Sequence, residues 1–391
     1  MPSALFVTTV PITLEAFLVP FADHFRAAGW RVDAAARGAS GEETLRSHFD
    51  NVHDVAWSRN PLDPSNLLSA AARIRKVVRE GGYDIVHVHT PVAAFVTRFA
   101  LRGMRRGKRS GGSARSGPSA RPVVIYTAHG FHFYAGQRAL PHAMFRAMER
   151  LAAPWTDWLV TINDQDFAAA RRFRGLPPEH VRLIPGIGVD TELFAPGAVP
   201  RSEVADVRAG LDISPESFLL TMVAELAPVK RHSFALEALA LVREPSVVLA
   251  VVGDGPLEGD IRALIAKAGL ADRVRLTGYR RDIPAVLAAS DALLLVSERE
   301  GLNRSVLEAM ASGIPVIGTD TRGISDAVGD DAGWIVPKND AAALAAAIDH
   351  ASSHPDETAS RGRAARVCAV SEFSLARIID AYDGLYHDAL A

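Results

Sequence analysis

The sequence predicts an α/β protein made of two Rossmann-like parallel-sheet domains facing a central cleft. Short runs rich in β-branched residues alternate with stretches of helical periodicity, and the alternation restarts after about residue 200. A joint rich in glycine and proline separates the two series. In the first series, Leu5–Val10, Ile85–Val88, Val123–Thr127 and Trp158–Ile162 read as strands. Between them Ala16–Ala28, Leu67–Arg79, Val92–Leu101, Leu140–Ala152 and Asp166–Phe173 carry helical spacing. In the second series the strands are Phe218–Val223, Val247–Val252, Val274–Thr277, Ala292–Val296 and Val316–Gly318. The joint runs from Pro185 to Pro196, so a hinge is expected near residue 190, with domains over 1–190 and 191–374. A last helical stretch, 375–391, is free to pack back on the amino-terminal domain.

Length and composition agree with this plan. A chain of 391 residues, 48% hydrophobic and 23% charged, has ample material for two cores and is not a disordered, collagenous or disulfide-stapled chain. The single cysteine, Cys368, has no partner for an internal disulfide, which fits a reducing compartment. Aromatic residues are sparse, so no base-stacking platform for nucleic acid is expected. The longest apolar stretch near the start, Ala4 to Ala22, is broken by Pro11, Glu15 and Pro20 and has no basic residues ahead of it. It reads as neither a membrane span nor a signal peptide, and a cytoplasmic protein is expected.

The net charge of −2 conceals an asymmetry: residues 1–196 carry +7 and the remainder −9. Much of the positive excess lies in 101–122, where Arg102, Arg105, Arg106, Lys108, Arg109, Arg115 and Arg121 stand among Gly, Ser and Pro with no acid. The segment reads as a solvated loop, or as a peripheral contact with an anionic membrane.

The most informative stretch runs from Ser297 to Val316. It follows an apolar strand, opens with a polar loop and closes with a helix ended by Gly313 and Pro315. Such a strand, loop and helix N-terminus is suited to an anion, because free backbone N–H groups and the helix dipole point into the loop. Glu300 lies in the loop and Glu308 one turn into the helix, where Ser305-x-x-Glu308 also has the form of a capping box. Spacing alone leaves the two readings open. His87 and His89 share one face of a strand but lack an evident third metal ligand, and Asp164-Gln-Asp166 opens a helix, where Asp164 reads as an N-cap. Gly253-Asp-Gly255 lacks the third glycine of a dinucleotide fingerprint.

The 297–318 block strongly resembles the Glu-x7-Glu signature of the retaining glycosyltransferases of family 4, which have the two-domain GT-B fold. Val252–Pro256, Thr277–Ile283, Ser290–Ala292 and Gly313–Gly318 fit the same family in the same order. His87–Pro91, Thr127–Tyr134 and Thr161–Asp164 resemble a subgroup that builds bacterial capsule, exopolysaccharide and lipid-linked glycans. The resemblance implies a nucleotide-sugar donor, a UDP-sugar, and a glycan or polyprenyl-linked acceptor, with no further cofactor and no metal. It assigns Glu308 to the ribose hydroxyls and Glu300 to the donor sugar. Backbone from Gly301 through Leu302, Asn303 and Arg304 to Ser305 would cradle the diphosphate and sugar. Lys230 would neutralise the departing diphosphate, Gly253 and Gly255 would let the chain pass close to the nucleotide, and Tyr279 would meet the base. His129 matches a histidine that faces the donor sugar, while His132 reads as acceptor-side or structural.

One departure stands out. Many members of the family that the chain resembles carry Gly-Arg five residues ahead of the lysine, and this chain has Ala224-Glu225. Glu225 cannot bind phosphate, so either another cation substitutes, with Arg304 the candidate, or the diphosphate is less well held. Two further readings accompany the transferase: an epimerase of the same fold acting on the nucleotide-sugar, and a nucleotide-sugar-binding protein without turnover.

Overall fold

The computed structural model of the protein describes residues 1–58, 60, 63–104, 121–133 and 139–391. These form two compact units, Met1–Ile187 with Ile378–Ala391, and Gly188–Arg377.

The first unit holds seven strands: β1 (Ser3–Val7), β2 (Arg31–Ala36), β3 (Val52–Asp54), β4 (Ile85–Val88), β5 (Val123–Ala128), β6 (Trp158–Thr161) and β7 (Val181–Leu183). They lie in the order β3-β2-β1-β4-β5-β6-β7, and each pairing is parallel. β1, β4 and β5 are buried along their whole length, as expected of strands covered by helices on both faces. The second unit holds β8 (Phe218–Val223), β9 (Val247–Val252), β10 (Val274–Gly278), β11 (Ala292–Leu295), β12 (Val316–Thr319) and β13 (Gly333–Val336). Their order is β10-β9-β8-β11-β12-β13, again parallel throughout. Leu220, Leu249, Leu294 and Ile317 build the core on one face of this sheet. Leu293, Leu295 and Val316 pack on the other against Val306, Leu307 and Met310.

In each sheet the strand order reverses once, between β1 and β4 and between β8 and β11. Crevices for ligands open beyond the carboxyl ends of strands at such reversals. Ligand-facing residues are therefore expected just after β1, β4, β8 and β11.

Several boundaries differ from the sequence reading. β1 ends at Val7, because Thr8 folds its hydroxyl back to the Val10 carbonyl and Pro11 opens a helix. The helical stretch that follows, Pro11–Ala27, contains a π-helical turn at Leu14–Leu18. β2, β3, β7 and β13 are additional strands. The basic segment 101–122 lies for the most part outside the described residues, and so does Tyr134. Its last cation is not solvated: Arg121 is buried and pairs with Asp157 at 3.1 Å. Among the described residues no helix is long and apolar enough to cross a membrane.

The helix Leu375–Leu390 contributes its residues from Ile378 onward to the first unit. There Tyr386 stacks on Phe25, with ring centroids 4.5 Å apart, and Tyr382 meets Phe21 edge-on.

Candidate active site

In the second unit, the segment after β11 is built as an anion-binding corner. The helix Arg304–Ala311 is capped by Asn303, whose side-chain oxygen accepts from the Val306 N–H and, at 2.6 Å, from the Ser305 hydroxyl. The capping box expected from Ser305 and Glu308 is thus absent: the helix starts two residues earlier than that pairing requires, and Glu308 faces Arg304 instead. The loop ahead of the cap is held from both sides. Thr321 donates to the Ser297 carbonyl at 2.9 Å, and the Glu298 N–H donates to the Val229 carbonyl. Gly323, at φ +84°, lies so close to the Gly301 carbonyl that any Cβ would collide with it. Such bracing holds Gly301, Leu302 and Asn303 in place before a ligand arrives.

Four charged side chains in this unit form two ion pairs. Lys230 ends the short 3-10 turn Pro228–Lys230 beyond β8, just before the left-handed Arg231 and the helix His232–Leu241. Its Nζ donates to Glu300 Oε1 at 2.7 Å, with the two side chains only 19% and 11% exposed. Arg304 Nε donates to Glu308 Oε1 at 2.6 Å. Here the arginine is 48% exposed and the glutamate 8%. Burial raises the Glu308 carboxyl above its usual range, and the charge of Arg304 pulls the other way. The cation expected to serve a diphosphate is therefore bound to the acid expected to serve a ribose, one helical turn away.

Gly253 and Gly255 have a packing reason of their own. A Cβ at Gly253 would lie 2.2 Å from the Ala224 carbonyl oxygen, and one at Gly255 would lie 2.7 Å from the Leu226 nitrogen. The turn after β9 thus passes directly against Ala224–Leu226, and the Leu226 N–H donates to the Asp254 carbonyl at 2.8 Å. Glu225 is exposed on that segment. Tyr279 is 69% exposed just past β10, two strands away from β8. His232 escaped the sequence reading. It is buried beside Lys230, neither ring nitrogen has a hydrogen-bond partner among the described residues, and burial with the nearby Lys230 charge lowers its pKa to about 4.

The first unit carries His129 just beyond β5. Its Nε2 lies 3.2 Å from His89 Nδ1, and its ring stacks with those of His89 and Phe17. Burial lowers the His129 pKa to about 4. His87 is held at both nitrogens, by the Tyr386 hydroxyl at 2.6 Å and by Thr127 at 2.8 Å. That leaves it no lone pair for a metal, and among the described residues no group of three or more His, Cys, Asp and Glu is arranged to hold one. The cap of the helix Asp164–Ala170 is Asn163, not Asp164. Asp166, the other acid of the Asp-x-Asp, is buried and accepts from the Phe131 N–H at 2.9 Å, which ties down the loop that carries His129.

Beyond the ends of β1 and β4, where the first sheet reverses its order, lies a cavity of about 270 Å³. Val10, Val92, Phe95, Phe145 and Met148 make its wall mostly apolar, with Thr9, Thr90 and the exposed His132 supplying polar groups. Glu149 also lines it, but its carboxylate is engaged by Arg98 at 3.0 Å and by the Tyr126 hydroxyl at 3.1 Å.

Comparison with known proteins accounts for both units. Residues 14–193 match the Glycosyltransferase Family 4 model, and residues 204–367 match Glycosyl transferases group 1. A putative glycosyltransferase of Bacillus subtilis, EpsD, is 33% identical over 385 residues, covering 98% of this chain and 95% of its own. The UDP-Gal:alpha-D-GlcNAc-diphosphoundecaprenol alpha-1,3-galactosyltransferase of Escherichia coli is 30% identical over 284 residues, covering 71% of this chain and 67% of its own. The crystal structure of Anabaena Alr3699/HepE in complex with UDP and glucose has a TM-score of 0.80 at 21% identity, covering 99% of this chain and all of that one. Two parallel Rossmann-like sheets and these neighbours define a glycosyltransferase of the GT-B fold. The chain belongs to the glycosyltransferases of the family 4 type.

Proposed function

We propose that this protein transfers a sugar from a UDP-sugar to a polyprenyl-linked glycan acceptor, with retention at the anomeric carbon and without a divalent metal. The observation that carries the reading is the set of two ion pairs, the largely enclosed Lys230–Glu300 and the half-exposed Arg304–Glu308, at the braced corner beyond β8 and β11. A nucleoside diphosphate is the ligand that exchanges both. Its phosphates replace Glu300 on Lys230 and free Arg304 from Glu308. The ribose hydroxyls then give Glu308 donors in place of the arginine. Glu300, released from the lysine, meets the donor sugar.

Transfer on the retained face breaks the bond between the anomeric carbon and the diphosphate oxygen. The acceptor oxygen bonds to that carbon from the same side, and its proton passes to the departing diphosphate. The protein's task is to hold the growing negative charge, which Lys230, Arg304 and the N–H groups at the head of the helix Arg304–Ala311 do without a metal. The apolar cavity beside Phe95 and Phe145 suits an acceptor carried on a lipid. The name of the Escherichia coli relative, with its diphosphoundecaprenol acceptor, and the family resemblance to builders of surface polysaccharide support this choice.

The purified enzyme should be offered a panel of nucleotide-sugars with and without diphosphoundecaprenol-linked acceptor, in excess chelator, and the anomeric configuration of the product read by NMR. We expect sugar transfer that requires the acceptor, persists in chelator and gives the donor's configuration. Epimerised donor without acceptor would establish the epimerase reading, and nucleotide binding without turnover the binding-protein reading. Loss of activity in chelator, restored by magnesium or manganese, would overturn the metal-independent mechanism.

A further inference from the structure

β4 and β5 run side by side with His87 opposite Ile125, so the residues just past their ends, His89 and His129, come together. Their rings stack at 22°, and a single hydrogen bond joins His89 Nδ1 to His129 Nε2 at 3.2 Å. One of these nitrogens must carry a proton and the other must be bare. The remaining nitrogens differ sharply. His89 is 3% exposed, and its Nε2 is enclosed with no hydrogen-bond partner among the described residues. His129 is only half-buried, and its Nδ1 is not among the enclosed nitrogens.

Suppose His129 donated from Nε2. A neutral His89 would then accept at Nδ1 and carry its own proton on Nε2, leaving a buried N–H with nothing to donate to. Unpaired buried N–H groups are rarer in native proteins than under-used acceptors, so this arrangement is disfavoured. The neighbouring void, about 10 Å³, stands at the lower limit for a single water that could relieve it. If His89 donates from Nδ1, every proton is used and the bare Nε2 remains inside.

We propose that His89 is a positioning residue that locks His129 in its Nδ1–H tautomer, so that the outward nitrogen of His129 is a permanent hydrogen-bond donor. The ligand group it fits is a neutral oxygen, such as a sugar hydroxyl, and this part of the inference rests on the reading of His129 as facing the donor sugar. Burial keeps both rings neutral, with the His129 pKa at about 4 and that of His89 well below the ordinary value. The donor is thus a fixed dipole, unaltered across the neutral pH range. The frame behind it is rigid: Phe6 abuts the edges of His87 and His89, and His87 is tied to Tyr386 and Thr127.

Full-length enzyme labelled with 15N-histidine, without ligand, tests the assignment directly. We expect the His129 nitrogens to show a protonated Nδ1 and a bare Nε2, with the reverse pattern in His129 overturning the proposal. His89→Phe keeps the stacked ring but removes the donor, and should release His129 into a mixture of tautomers. His89→Asn returns an amide N–H near the position of Nδ1 and should restore the lock. An unchanged His129 signature in His89→Phe would also overturn it. In turnover, His89→Phe should lower kcat/KM for the donor about fivefold or more, as the competent tautomer becomes a minor fraction, with recovery in His89→Asn. A changed tautomer with unchanged kcat/KM would uphold the lock and overturn the sugar-facing reading of His129.

Discussion

The two units use one architecture to present opposite chemistries. Beyond the reversal between β8 and β11, the second unit gathers Lys230, Glu300, Arg304 and Glu308 in two ion pairs, all but Arg304 largely withdrawn from water. Beyond the ends of β1, β4 and β5, the first unit offers neutral imidazoles, threonine hydroxyls and an apolar wall. Charges that are already paired can be exchanged for a ligand's charges at small net cost, which suits a diphosphate. Neutral donors fixed by packing suit hydroxyl groups, which water would otherwise satisfy equally well. The open ends of a parallel sheet thus do not decide what is bound; the side chains placed there do.

The largest test of this contrast lies in the charged unit. Lys230→Ala should lower kcat about 10²–10³-fold, the scale for removing one preorganised donor to developing charge. It also leaves the largely enclosed Glu300 carboxylate without its cation. Loss of no more than tenfold in steady-state turnover would show that the lysine serves the fold and not the reaction.

A smaller effect separates ligand binding from capping. Glu308→Gln should weaken nucleotide binding by about 1.5–3 kcal/mol, the range for a hydrogen bond to a charged group, with little change in melting temperature. Asn303→Ala should do the reverse, costing about 1 kcal/mol of stability through the lost cap. Titration calorimetry and thermal melts on both variants check the pair. A Glu308→Gln protein that melts early and binds normally would return that acid to a structural role. Because Arg304 shares its partner, the effects of Arg304→Ala and Glu308→Gln on nucleotide binding should be non-additive in a double-mutant cycle.

The least effect per group comes from acid, and it should fall unequally on the two units. His87, His89 and His129 all have folded pKa values below the ordinary 6.5, down to about 3 for His87, because burial opposes their charging. The unfolded chain then binds more protons, so stability is whole above about 6.5 and is lost as pH falls toward the folded values. Each such histidine removes up to ~1.4 kcal/mol per pH unit in that window. The second unit has His232 of this kind, while its Glu308 and Asp291 are shifted upward and act in the opposite sense. Hydrogen exchange at pH 7 and pH 5 should show the first unit opening earlier on acidification. Equal loss in both units would remove the distinction.

Much of the second unit was legible in the sequence because its signals are local. The apolar runs at Phe218–Val223 and Val247–Val252 coincide with β8 and β9, and the 297–318 block forms the strand, loop and helix expected. What escaped depends on distance. β2 is Arg-Val-Asp-Ala-Ala-Ala, a poor strand by composition that is carried by its place beside β1. Asn303 displaces Ser305 as the cap because Thr321 and Gly323, far along the chain, fix where the loop ends. The pairing of Arg304 with Glu308 had a signal, the i,i+4 spacing, though the missing arginine at position 225 points Arg304 toward a phosphate instead. The bond between His89 and His129 had none, since the residues are 40 apart and meet only through the register of β4 and β5.

The helix from Ile378 onward has a bearing on how the protein is born. His87 emerges from the ribosome early, yet its partner Tyr386 lies 299 residues further on. The second unit is contiguous and can finish during translation, whereas the first, though begun earlier, stays incomplete until that helix has been made. Throughout that interval Phe21, Phe25 and the histidine stack lack their tyrosine cover. Order of maturation therefore inverts order of synthesis, and a nascent chain stalled within residues 191–377 presents an open aromatic face to chaperones.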